Sequence, residues 1–170
     1  MSCTSKVITF DSDGYKLTGF HSYPITKTLL PGVLFIHGGG KYTNNLYESW
    51  QEYLCLHGYA SLSFFSRGVG NSEGSFEKGS LSHRLTDTLT AYNAYITSGI
   101  VDPDRIGIYW EYDLVIPDEI KGLFRDSIRT GKFRLIKNGT HKLLRPMNQP
   151  ELKARAELYS STVHFLNRYL

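Results

Sequence analysis

Asp113 and His141 each follow an apolar segment, in "IYWEYD" and "KNGTHKL". In an open parallel sheet, the carboxyl ends of strands are where ligand chemistry gathers. A carboxylate and an imidazole delivered in that order from neighbouring strands make a general base, His141, and an acid, Asp113, that fixes its tautomer. Each also has a plain structural reading, since an Asp before Pro117 is a common helix cap and a His beside a glycine is ordinary. A third group, His37-Gly38-Gly39-Gly40, closes the apolar run Val33 to Ile36. Residues without side chains let backbone N–H groups approach a developing oxyanion, the need of acyl transfer, and a simple glycine turn fits the tetrapeptide equally well.

Such a set needs a nucleophile. Gly70-Asn71-Ser72-Glu73-Gly74 has the letters of Gly-x-Ser-x-Gly, but an elbow requires a strand running straight into the turn and a helix directly behind it. This pentapeptide stands in the glycine-rich loop "RGVGNSEGSFEKGS", so Ser72 reads as a decoy and is kept only as a weak candidate nucleophile. Ser66 ends a strand without a glycine-flanked turn, and Cys55 reads as a buried small hydrophobe in a helical pattern. Tyr112 has a phenol with an ordinary pKa near 10, a poor substitute for an activated hydroxyl.

The elements that must position these groups are legible in outline. Lys6 to Phe10 and Lys16 to Tyr23 alternate, and Asp13-Gly14 between them favours a tight hairpin turn. Val33 to Ile36 is continuously apolar, as a parallel strand covered on both faces must be. Asn45 with Glu48 resembles a capping box, after which Leu46, Trp50, Tyr53, Leu54 and His57 recur at helical spacing until Gly58. "YASLSFFS" is the next buried strand; a helix from about Ser82 to Ser98 puts Leu85, Leu89, Tyr92 and Ile96 on one stripe. "VDPD" turns the chain into Arg105 to Trp110. Pro117 to Thr130 reads as a helix, Phe133 to Lys137 as a strand and Glu151 to Leu170 as an amphipathic helix. The alternation predicts one α/β domain over residues 1–170, doubly wound, with a mostly parallel sheet of about six strands and an antiparallel hairpin at its entrance.

The order "VLFIHGGG", "GYASLSFFSRGVGNSEG", "VDPDRIGIY", "EYDLVIP", "NGTHKL" resembles the α/β-hydrolase superfamily, in particular its esterase and acyl-peptidase-like serine hydrolases, over nearly the whole chain. The resemblance implies that Gly39 and Gly40 contribute to an oxyanion hole, Asp113 is the triad acid and His141 the triad base, with Arg67 and Gly68 in a structural loop. It also exposes a departure. Family members carry Gly-x-Ser-x-Gly directly after the strand written here "RIGIY", whereas this chain passes from Tyr109 through Trp110 into "EYD". With a βαβ unit of about 30 residues or more, the section missing relative to the family amounts to two units or more. The expectation is a contracted α/β-hydrolase fold whose own activity on carboxyl ester or acyl and peptide bonds is very low. The rival reading is a non-catalytic module that binds a ligand or a protein on the same scaffold, and a third is a deletion product of a longer hydrolase. A core shaped for a larger sheet also points to self-association as a homo-oligomer.

Composition excludes other classes. The chain has 170 residues, 41% hydrophobic and 21% charged, the balance of a globular domain. A net charge of +3 is too mild for a nucleic-acid partner, and the basic residues from Lys121 to Arg145 lack interleaved stacking aromatics. No apolar run is long enough to span a membrane, and the N-terminal residues lack the pattern of a secretion signal, so a cytoplasmic protein is expected and Asn138-Gly139-Thr140 reads as a chance glycosylation motif. Two cysteines, Cys3 and Cys55, support neither a disulfide framework nor a thiolate metal site. His21, His57, His83 and His164 show no metal-ligand spacing. Gly68-Val69-Gly70 lacks the third glycine of a dinucleotide fingerprint, so no cofactor is implied.

Overall fold

The computed structural model describes residues 2–110, 159–168 and 170. Strands β1 (Cys3–Ser12) and β2 (Tyr15–Pro24) form an antiparallel hairpin in register from Cys3↔Pro24 to Ser12↔Tyr15. Its turn is made by Asp13 and Gly14, both left-handed at φ 57° and 81°, the conformation that matches the twist of paired strands. Then follow β3 (Leu30–Ile36), α1 (Glu48–Leu56), β4 (Ala60–Phe64), α2 (Leu81–Ile96) and β5 (Val101–Trp110). A further helix, α3, covers residues 159–168. The five strands make one mixed sheet in the order β1-β2-β4-β3-β5, with β3 parallel to both β4 and β5.

The apolar side chains of β3 other than Pro31 divide between two cores. Leu30, Leu34 and Ile36 pack with Ala91 and Tyr95 of α2, while Val33 and Phe35 pack with Trp50 and Leu54 of α1 and with Tyr159, Val163 and Leu166 of α3. A strand buried on both faces cannot alternate, which is why its sequence is continuously apolar. The chain steps from β3 to β4 on one side and then to β5 on the other, so the order reverses at β3. Loops at the carboxyl ends beside such a reversal are where a crevice opens.

Four expectations need correction. Cys3 and Cys55 form a disulfide, because the long hairpin carries the first residues of β1 back against the end of α1, a proximity that a separation of 52 residues conceals. Helix α1 begins at Glu48 with Tyr47 as its N-cap and no side-chain cap; Asn45 instead accepts the Tyr47 N–H, so there is no capping box. The buried face of α2 is Asp87, Thr88, Ala91 and Tyr95, with Leu89 exposed, because a buried ion pair sets its rotation. Finally, "VDPD" belongs to β5, where the register breaks: Leu30 pairs with Val101 and Gly32 with Ile106, and Asp102 accepts from Asp104 N and Arg105 Nε inside the irregularity. Five strands are seen among the described residues; the expected sixth, Phe133 to Lys137, and the helix Pro117 to Thr130 lie outside them.

The disulfide makes a strong prediction. Closing a 52-residue loop removes unfolded-state entropy worth about 4 kcal/mol in the chain-entropy account. Cys3→Ser is therefore expected to lower the unfolding free energy in urea by about that amount, and a reducing agent should destabilise the wild type equally while leaving the variant unchanged.

Candidate functional site

His37 continues directly from β3 and is 2% exposed. Its Nε2 accepts the Ser66 N–H at 3.1 Å, so in the neutral ring the proton sits on Nδ1, which donates to the Gly38 carbonyl at 2.8 Å. Burial, with the Arg84 charge as the second cause, pushes the His37 pKa down to about 4. His37 is thus a neutral strut joining the ends of β3 and β4, not a proton carrier at neutral pH.

The glycines beyond it are held from two sides. Arg84, in the first turn of α2, donates from Nη2 to the His37 carbonyl at 2.7 Å and to the Gly38 carbonyl at 2.8 Å. Tyr42 donates its hydroxyl to the Gly39 carbonyl at 3.4 Å. A Cβ on Gly40 would stand 2.8 Å from the Tyr42 ring, so a side chain there displaces the tyrosine. Farther along, Asn45 and Gln51 form a polar knot with Ser63 of β4, which anchors the loop between β3 and α1. Lys41 pairs with Glu77 across the mouth of the glycine turn, and its ammonium lies over the Phe76 ring. The hydrogen bond from Lys41 Nζ, followed by those from the Glu77 backbone N–H and the Ser75 hydroxyl, holds the Glu77 carboxyl down to about 2.

Ser72 lies in a loop stitched to the entrance hairpin. Its Oγ donates to the Phe65 carbonyl at 2.7 Å and accepts the Thr18 N–H at 2.9 Å, and its side chain is buried. Glu73 next to it pairs with Lys16 through backbone and side chain. Gly68, at φ 74°, comes so close to Phe76 N that an added Cβ would lie 2.1 Å from it; Gly70, at φ 54°, lies against the Phe65 ring. The glycines of this pentapeptide region therefore serve a compact loop, and α2 begins only at Leu81.

Arg67 is the residue around which this loop closes. Its Nε, Nη2 and backbone N–H all donate to Asp87, which also accepts from Ser12 Oγ. Asp87 is fully buried and Arg67 nearly so. The hydrogen bond to Asp87 is the main reason the Arg67 pKa is raised above its ordinary value. The sequence reading missed both Asp87 and Arg84. Their spacing of three residues on one helix was the available signal, since it puts two charges on one face.

Of the predicted site residues, Gly39 and Gly40 stand at the end of β3 as expected, with Gly39 exposed. Ser72 stands on the hairpin side of its loop, bonded to main-chain atoms. Asp113 and His141 lie outside the described residues, as do Tyr112 and the glycosylation motif at Asn138. Strand β5 reaches Trp110, whose register partner is Ile36 at the end of β3. A shallow cavity lined by Tyr23, Lys27, Leu30 and Ile100 is at the opposite end of β3 from the glycines. Among the described residues no cluster of His, Cys, Asp and Glu could hold a metal ion, and no helix is long and apolar enough to cross a membrane.

No family model and no curated protein matches the chain. Solved structures do. Est1E from Butyrivibrio proteoclasticus, seen with ferulic acid bound, is similar over 61% of this chain and 42% of its own, at 27% identity and a TM-score of 0.54. The α/β hydrolase GrgF from Penicillium sp. sh18 is similar over 63% of this chain and 37% of its own, at 18% identity and a TM-score of 0.55. A dipeptidyl aminopeptidase IV from Bacteroides ovatus, itself so described only by inference, is similar over 64% of this chain and 17% of its own, at 18% identity and a TM-score of 0.55. The chain has an α/β-hydrolase-like fold. The similarity spans less than half the length of each of these structures.

Proposed function

We propose that this chain is a contracted serine-hydrolase-family domain, related to enzymes that cleave carboxyl ester or acyl and peptide bonds, whose own turnover is very low because the nucleophile elbow is missing. The observation that carries this reading is β5. It pairs with β3 through Ile36↔Trp110, and the sequence then continues as Glu111-Tyr112-Asp113 with no Gly-x-Ser-x-Gly. The likeness to Est1E, seen with ferulic acid bound, supports a carboxyl-bearing ligand or substrate. In this reading Gly39 and Gly40 hold the oxyanion, His141 handles the proton, Asp113 orients it, and the sheet completes a doubly wound set of six strands. An oxyanion cradle with binding alone has elsewhere accelerated reactions by about 10³ to 10⁴ over water, which sets the ceiling expected here. The Cys3–Cys55 bond weighs against the cytoplasmic placement expected from the N-terminal residues, because disulfides persist in oxidising compartments.

Fluorophosphonate labelling followed by peptide mapping tests the reading: no serine should be modified, and a labelled serine would overturn it. Ser72→Ala has a separate expected outcome. Losing its hydroxyl leaves the buried Thr18 N–H without its acceptor, at about 1–3 kcal/mol, so a melting temperature lower by several degrees is expected with hydrolysis of p-nitrophenyl acetate unchanged. The second reading, a binding module, is favoured by the glycine turn being held in place although no Gly-x-Ser-x-Gly follows Trp110 in the sequence. It expects a carboxylate ligand to raise the melting temperature in wild type and His141→Ala alike.

A further inference from the structure

We infer that Arg84 is the positioning residue that turns the Gly38–Gly39 peptide into an anion donor. This rests on the reading above of the glycine turn as a cradle for a carboxylate or oxyanion. The geometry is a matter of peptide planes. The chain contains no cis peptide among its described residues, and in a trans peptide the C=O and the following N–H point in opposite directions. The Gly38 carbonyl is held by Arg84 Nη2 at 2.8 Å and by His37 Nδ1 at 2.8 Å. Its partner in the same plane, the Gly39 N–H, must therefore point away from Arg84 and the α2 side of the loop. Gly39 is exposed, so that N–H belongs to the open side of the turn.

Orientation is half of the effect. The guanidinium is a permanent cation on the carbonyl side of this peptide, and the peptide dipole then runs from cation through C=O to N–H toward the incoming anion. A charge within about 7 Å of an anion at an effective dielectric constant of about 20 is a sizeable term, so Arg84 both sets the donor's direction and strengthens it. The same nitrogen also holds the His37 carbonyl, so two consecutive peptide planes share one anchor. His37 completes the frame, since its ring is pinned by Ser66 N–H on the far side. None of these groups needs to touch the ligand; Arg84 acts through the backbone.

The test uses the full chain, labelled with ¹³C and ¹⁵N, and sodium acetate as probe. In wild type, acetate is expected to shift the Gly39 amide resonance. In Arg84→Gln, and in Arg84→Met, which keeps the apolar stem for packing, the His37 and Gly38 carbonyl resonances should move and the acetate affinity should fall about tenfold. Arg84→Lys, still cationic and able to donate, should bind acetate within about threefold of wild type, a rescue that a purely structural role does not explain. If the neutral variants melt earlier but bind acetate as wild type does, the positioning role is overturned and the hydrolase reading stands. If acetate moves no amide of the turn in wild type although the carbonyl resonances respond to Arg84→Gln, the anion cradle itself falls, and the inference falls with it.

Discussion

Asp87→Ala is expected to lower the unfolding free energy by about 5 kcal/mol, measured by urea denaturation. Removing one partner of a buried ion pair costs about 3–5 kcal/mol because the other charge is left buried without compensation. Here the loss is compounded, since Asp87 also accepts the Arg67 N–H and the Ser12 hydroxyl, which lose their acceptor at the same stroke. Asp13 does not substitute: it reaches Arg67 at 3.5 Å from an exposed position, where an ion pair is worth little. The pair joins three parts of the fold, namely the hairpin end, the loop after β4 and helix α2. A loss much below 2 kcal/mol would mean that water replaces the carboxylate and that the pair does not organise the loop.

Acid should destabilise the fold through two histidines. Burial pushes the His21 pKa from 6.5 down to about 4, with the Lys6 charge assisting, and His37 is pushed equally far. Both folded values lie below the unfolded value, so the unfolded chain takes up protons that the folded chain refuses. Stability from these groups is fully present above pH 6.5 and is lost as the pH falls toward 4. From about pH 7.5 to about pH 4 the loss amounts to about 3 kcal/mol for each, or about 6 kcal/mol together. His21 Nε2 has no hydrogen-bond partner among the described residues, and the ring packs on Tyr23 and Tyr95, so His21→Phe is expected to remove about half of the acid sensitivity. An NMR titration in which either ring protonates near pH 6.5 in the folded chain would refute its share.

The elements were legible because they are written in local chemistry. Alternation on either side of Asp13-Gly14 specifies a hairpin, and the unbroken apolar run of β3 specifies a strand covered on both faces. Parallel strands were also expected, from the alternation of strand and helix, and β3 pairs in parallel with both β4 and β5. So was the glycine turn at the end of β3, and so was the want of a glycine-flanked serine after Tyr109, which is a property of the residues alone. Element ends were less legible. The rotation of α2 was misjudged because Leu85, Leu89, Tyr92 and Ile96 form a good apolar stripe, and only the buried Arg67 shows why Asp87 turns inward instead.

What tertiary structure decided is who meets whom across long stretches of chain. Ser72 with Thr18, Asp87 with Ser12, Cys3 with Cys55 and Arg84 with Gly38 are separated by 54, 75, 52 and 46 residues. Periodicity reports the environment a residue prefers, not its partner. A serine, a cysteine or an arginine satisfies the same local pattern whether it is catalytic, cross-linked or an anchor for someone else's carbonyl. Its role is chosen when folding closes the loop that brings a particular donor to a particular acceptor, and that choice is made by packing and desolvation over the whole sheet.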